Sequence, residues 1–214
     1  MAEDLKPLIL IHGLLRTKYS MWYLGQKLKP YGFKPLLFGY PSLQEEIASH
    51  SKRLRDFIRT ENLEDKPLYF VTHSLGSIVL RHLSIFHGDN LNLIRAVHLG
   101  PPHRGSKTAS VLARIPLVSK IMGPSFGELT GLNLPSLPAT PAVGIIAGLV
   151  PLRRGYYGVM ESDNDGVVEV CETMVEGQQD HVIVKGTHSL LTYNKAAIEK
   201  AALFLTSGSF KDRP

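Results

Sequence analysis

Short apolar runs alternate along the chain with longer segments in which apolar residues recur at helical spacing. Pro7-Leu8-Ile9-Leu10-Ile11 is apolar without alternation, as expected of a strand covered on both faces. Between residues 18 and 30, Met21, Leu24 and Leu28 fall at spacings of three and four and give a helix one apolar stripe. Residues 34–40 read as a second strand. Ser42 is then expected to cap a helix that carries Glu45 and Glu46 in its first turn and buries Ile47, Leu54, Phe57 and Ile58. The run 68–72 is a third strand that enters a corner at residues 73–76, and a helix with Ile78, Val79, Leu83 and Phe86 follows it. Residues 94–100 form a fourth strand. The pattern loosens from 107 to 141, where Val111, Leu112, Ile115, Val118, Ile121 and Met122 keep helical spacing ahead of a Gly- and Pro-rich stretch. Residues 142–148 and 181–185 complete the strands, and a closing helix carries Ile198, Ala201, Leu203 and Phe204.

Strands that alternate with helices predict an α/β architecture: a mainly parallel sheet of about six strands with helices on both faces. The 214 residues fit a single domain, 1–214, and the 43% hydrophobic content supplies a core without metals or disulfides. Cys171 is the only cysteine, so no oxidising compartment is needed, and a cytoplasmic location is expected. Met1-Ala2-Glu3-Asp4 lacks the basic start of a secretory signal, and no apolar run approaches the roughly 18 residues that span a bilayer. The formal charge of +5 arises from lysines and arginines scattered among 19 acids, which reads as a solvated surface and not as a nucleic-acid footprint. At most, transient contact with a membrane surface is compatible with it.

In such sheets chemistry gathers at the carboxyl ends of the strands. There the third strand enters the corner His73-Ser74-Leu75-Gly76 and leaves as a helix, which raises the Ser74 hydroxyl above the sheet. A serine is a weak nucleophile and needs a base, an acid to orient that base, and donors for an oxyanion. Of the nine histidines, His188 lies just beyond the carboxyl end of the last strand, on the edge that carries Ser74. His181 begins that strand and belongs about 16 Å away at the other edge. His98, inside a strand, reads as a core histidine with satisfied polar atoms, and His82 and His87 lie on a helix past its first turn. Asp165, followed by Gly166, is the candidate acid in preference to Asp163; an Asx turn without catalytic role is the alternative. The backbone amides of Leu14 and Leu75 are the expected oxyanion donors, and His12 is expected to brace the loop.

These residues resemble serine hydrolases of the α/β-hydrolase fold, in particular small lipase- or esterase-like members. The marks are Leu10-Ile11-His12-Gly13-Leu14, Tyr40-Pro41-Ser42, Thr72-His73-Ser74-Leu75-Gly76, Gly100-Pro101-Pro102-His103-Arg104-Gly105-Ser106, Asp165-Gly166-Val167-Val168 and Thr187-His188-Ser189, and they cover nearly the whole chain. Three positions depart from the pattern: Thr72 and Ser77 stand where glycine is common, and Leu15 adds bulk to the oxyanion loop. The resemblance implies hydrolysis of a small-molecule or lipid ester through an acyl-Ser74 intermediate, without cofactor or metal. Thioesters or amides could meet the same machinery, and a non-catalytic binding module on the same scaffold is the contrasting reading. Leu15, Met21, Trp22, Ile115 and Met122 are the expected acyl pocket. Only 35 residues separate Ser106 from Ala142, so a small lid or no cap is expected.

Overall fold

In the computed structural model, which describes residues 5–211, the chain builds one six-stranded sheet whose pairings are all parallel. The strands are β1 (Lys6–Ile11), β2 (Phe33–Phe38), β3 (Leu68–His73), β4 (Leu93–Leu99), β5 (Ala142–Leu149) and β6 (Asp180–Lys185), in the order β2-β1-β3-β4-β5-β6. The main helices are α1 (Trp22–Leu28), α2 (Ile47–Thr60) and α3 (Leu75–Phe86), followed by short α4 (Lys107–Leu112), α5 (Pro116–Met122), α6 (Pro124–Glu128) and α7 (Val170–Thr173), and closing α8 (Lys195–Ser207). The acidic start Met1-Ala2-Glu3-Asp4 lies outside the described residues. Among the described residues, no helix is long and apolar enough to cross a membrane.

Successive side chains on a strand point to opposite faces, so an unbroken apolar run must be covered twice. Leu8 and Leu10 of β1 enter a core with Leu24, Leu28 and Phe204 from α1 and α8. Ile9 and Ile11 enter the other core, with Leu54, Ile58, Ile78 and Val79 from α2 and α3. All six residues of β3 are buried. Each fully buried Leu or Ile contributes about 1.5–3 kcal/mol, and this two-sided burial fixes the central strands.

Helix α2 corrects the sequence reading at its start. It begins at Ile47, so Ser42, Glu45 and Glu46 precede it, and no side chain of its own caps it. A turn closed by Gln44 N–H on Pro41 O occupies this stretch, and the Ile47 N–H donates instead to Glu128 Oε2 at 2.7 Å. A distant carboxylate thus fills the role expected of a local hydroxyl. Burial raises the Glu128 pKa above its ordinary value. Phe57 is only partly buried, and Phe86 is half-exposed beside His82. The expected first helix is a 3₁₀ turn, α1 and a second 3₁₀ turn. The loose stretch 107–141 carries α4, α5 and α6, and α5 buries none of its residues.

His98 also differs from expectation. It is buried in β4, and its Nδ1 lies 2.8 Å from His103 Nε2, but His98 Nε2 and His103 Nδ1 have no partner among the described residues. The alternation of β4 fixes where the ring goes, whereas its partner comes from a loop whose path periodicity does not report. Buried Arg81 closes the assembly by donating to the carbonyls of His103, Leu134 and Pro135 at 2.9, 2.8 and 2.6 Å. Burial depresses His98 to about 3 and holds His103 well below its ordinary range.

Both imidazoles therefore stay neutral in the fold, while the unfolded chain takes up protons near 6.5. The unfolded state binds more protons below that pH, so stability falls as pH drops from about 6.5 toward the folded values. His98→Leu is expected to flatten the slope of unfolding free energy against pH by about one proton, or ~1.4 kcal/mol per pH unit, over roughly pH 6 to 4. Urea unfolding across that interval measures it, and an unaltered slope would show that His98 is not the group responsible.

Candidate active site

The chain leaves β1 toward β2 on one side and β3 toward β4 on the other. The sheet therefore has its switch of direction between β1 and β3, and the crevice beyond their carboxyl ends is where open parallel sheets bind ligands. The loop 12–14 and the corner at Ser74 meet there.

Ser74 has φ 52 and ψ −122, a left-handed conformation that costs a side-chain-bearing residue of order 1–3 kcal/mol. The surroundings over-determine it. Its N–H donates to Leu99 O at 2.9 Å, and its carbonyl accepts from Ser77 N–H at 2.9 Å. A Cβ on Gly76 would lie 2.6 Å from His12 O and 2.8 Å from Ile11 O, so only glycine lets α3 approach the end of β1 this closely. Thr72 and Ser77, the two departures from glycine, answer each other: Thr72 Oγ1 and Ser77 Oγ are 2.7 Å apart and fully buried. A lone hydroxyl there would be an unsatisfied polar group, but the pair is not.

His188 and Asp165 come together from the loops after β6 and β5. His188 Nδ1 is 2.6 Å from Asp165 Oδ2, and His188 N–H donates to Asp165 O at 2.9 Å. Asp165 Oδ1 accepts from the N–H groups of Val167 and Val168 at 3.0 and 2.8 Å, which supplies the donors a buried carboxylate needs. A carboxylate only accepts, so Nδ1 is the donor in this contact, and in the neutral imidazole that leaves Nε2 as the acceptor. The Asx turn coexists with this contact: Asp165 Oδ1 accepts from Val167 N–H two residues on while Oδ2 faces His188, and Asn164 makes a second such turn, its Oδ1 accepting from Gly166 N–H at 2.9 Å. Asp163 is exposed and does not reach His188.

Ser74 and His188 line one cavity of about 200 Å³. The N–H groups of Leu14 and Leu75, at the loop and at the first turn of α3, have no acceptor among the described residues. His12 stacks on Tyr40 at 4.4 Å and receives the Tyr40 hydroxyl on its carbonyl at 2.8 Å, outside the cavity lining. His181 bonds Thr173 Oγ1 at 3.0 Å at the start of β6, and His82 faces Ser51 at 2.8 Å.

Two of the five residues expected in the acyl pocket line this cavity. Leu15 and Met122 line the cavity, but Met21, Trp22 and Ile115 do not. Met21 is fully buried with Leu8 and Leu10 on the opposite face of β1, because the chain crosses to that face after residue 17. Trp22 and Ile115 are about half-exposed outside the lining. Leu112, Phe126, Leu129, Tyr157 and Val168 supply the wall instead. Two further side chains escaped the sequence reading. His73 Nε2 lies 2.9 Å from His188 O, and burial with the neighbouring His188 keeps the His73 pKa well below its ordinary value. Arg16 also lines the cavity, and only its position two residues after Leu14 could have signalled it. A larger hollow of about 670 Å³ lies near the amino end of β1, around Lys6, Lys34 and Lys66, away from Ser74.

No family model and no curated protein matches the sequence. Solved structures do. The mature form of a Bacillus licheniformis lipase shares 18% identity at a TM-score of 0.70 over 95% of this chain and 90% of that one. A metagenomic carboxyl esterase shares 18% at 0.71 over 97% and 75%. A Legionella pneumophila phospholipase shares 18% at 0.68 over 94% of this chain, which spans 58% of that protein. At these identities the likeness establishes the fold: this is an α/β-hydrolase fold.

Removing the acceptor from His188 tests the geometry. Asp165→Asn is expected to lower turnover of a chromogenic ester by roughly 10²–10⁴-fold, while Asp163→Asn stays within about threefold of the unaltered protein. A larger loss at Asp163, in steady-state rates on folded variants, would reverse the assignment.

Proposed function

We propose that the protein is a serine hydrolase of carboxylic esters. The observation that carries this reading is that the strained Ser74 and the Asp165-bonded His188 open onto one largely apolar cavity. In this reading the Ser74 hydroxyl attacks the ester carbonyl and passes its proton to His188 Nε2, and Asp165 stabilises the imidazolium through Nδ1. The oxyanion accepts from the N–H groups of Leu14 and Leu75, backbone donors that need no reorganisation as the charge develops. His188 then returns the proton to the leaving alcohol. A water deprotonated by the same nitrogen releases the acid from the acyl-serine and restores Ser74.

The apolar wall from Leu112 to Leu129 receives the acyl chain. The names of the structural neighbours, a lipase, a carboxyl esterase and a phospholipase, favour an ester carbonyl as the target over an amide.

Ser74→Ala should lower hydrolysis of a short-chain nitrophenyl ester by roughly 10⁴-fold or more. It should also abolish covalent labelling by a fluorophosphonate probe, read by intact mass. Unlabelled native protein with no ester turnover would support a binding module on this scaffold, and activity retained by Ser74→Ala would sink the mechanism.

A further inference from the structure

Arg16 stands in the oxyanion loop and lines the cavity together with Ser74 and His188. Its Nη2 donates to the carbonyl of Ser189, the residue after His188, at 3.3 Å. No carboxylate of the described residues comes within 4.0 Å of its guanidinium. One long bond to a neutral carbonyl leaves most of the guanidinium donors, and the whole charge, without a partner among the described residues. Among the described residues that line the cavity, Arg16 is the only lysine or arginine. An arginine left uncompensated beside a nucleophile is a receptor for an anion, because the planar fork matches carboxylate and phosphate oxygens.

Its place says which part of a substrate it meets. The proton that His188 Nε2 holds must reach the leaving oxygen, so the alcohol portion lies on the flank formed by His188 and Ser189. Arg16 leans on that flank from the loop after β1. The apolar wall comes from a different part of the chain, Leu112 to Leu129 beyond β4. We propose that Arg16 is a specificity-determining residue that reads an anionic group on the alcohol portion of the ester, so that the preferred substrates are esters of an acidic alcohol. The inference rests on the ester-hydrolase reading above. The interaction is made by a group at the rim of the site and weakens with salt.

Hexanoyl monoesters of glycerol, of glycerol 3-phosphate and of glyceric acid share an acyl chain and differ in the charge of the alcohol. Release of hexanoate gives kcat/KM for each. The native protein is expected to favour at least one anionic ester over the glycerol ester by about tenfold or more at low salt, with a smaller ratio at high salt. The anion that gains more shows whether phosphate or carboxylate fits. Arg16→Gln should bring the anionic-to-neutral ratio close to one, and Arg16→Lys should keep part of it. An equal ratio in native protein and Arg16→Gln overturns the proposal, whether rates hold or fall together, since a proportional fall assigns Arg16 to bracing Ser189. Absence of preference in the native protein overturns it too. Hydrolysis of none of the three esters, together with no turnover of the nitrophenyl ester, overturns the hydrolase reading instead.

Discussion

The contact between Gly76 and the end of β1 is the constraint on which the site depends, because it sets how near the helix after Ser74 can come to the loop at residues 12–14. The atoms that a Cβ at Gly76 would strike are backbone oxygens of Ile11 and His12, which have no rotamer to yield. Gly13 repeats the condition from the other side, where a Cβ would lie 3.0 Å from that of Ser74. Two bare positions thus interlock a loop and an elbow. The strain at Ser74 is held by β3, which is buried throughout and cannot relax without exposing apolar side chains on both faces.

The same device recurs under the histidine. Gly100, with φ 54, leaves the space that Asp165 Oδ2 and His188 Nδ1 occupy: a Cβ there would stand 3.0 Å from each. Gly148 likewise makes room for the Asp165 side chain. A buried carboxylate is tolerable only where donors surround it, and the turn at Asn164 aims the N–H groups of Val167 and Val168 at its free oxygen. Glu128 links the cavity wall to the scaffold in a comparable way. The short helix that carries Phe126 into the cavity also ends in the carboxylate that caps α2, so the wall is anchored by a polar bond as well as by packing.

Much of this was legible along the chain. The six strands, their parallel order and the corner at Ser74 are periodic or local features, and period 2 or an unbroken apolar run states directly which faces are covered. The order of Ser74, Asp165 and His188 along the chain was equally readable, and the structure brings the last two into contact. What failed has one kind of cause. Ser42 has the chemistry of a cap, yet Glu128 takes the position from 81 residues away. Met21 has the apolarity of a pocket residue, yet the chain had already passed to the other face of the sheet. His98 was placed correctly in the core, but its partner His103 lies on a loop whose path periodicity does not report.

The sequence by itself determined the layers, the strand-to-helix corner and the residue types able to act as nucleophile, base and acid, since these depend on local conformation and on chemistry carried by single side chains. Only the tertiary structure decided which groups share a space: that Thr72 and Ser77 bond each other, and that Leu112, Phe126 and Leu129 line the cavity while Trp22 and Ile115 do not. It also decided that Arg16 lines the cavity of the nucleophile with no counter-charge among the described residues. These are proximities across long stretches of chain, fixed by how the two cores and the bare glycine positions pack, and no local pattern encodes them.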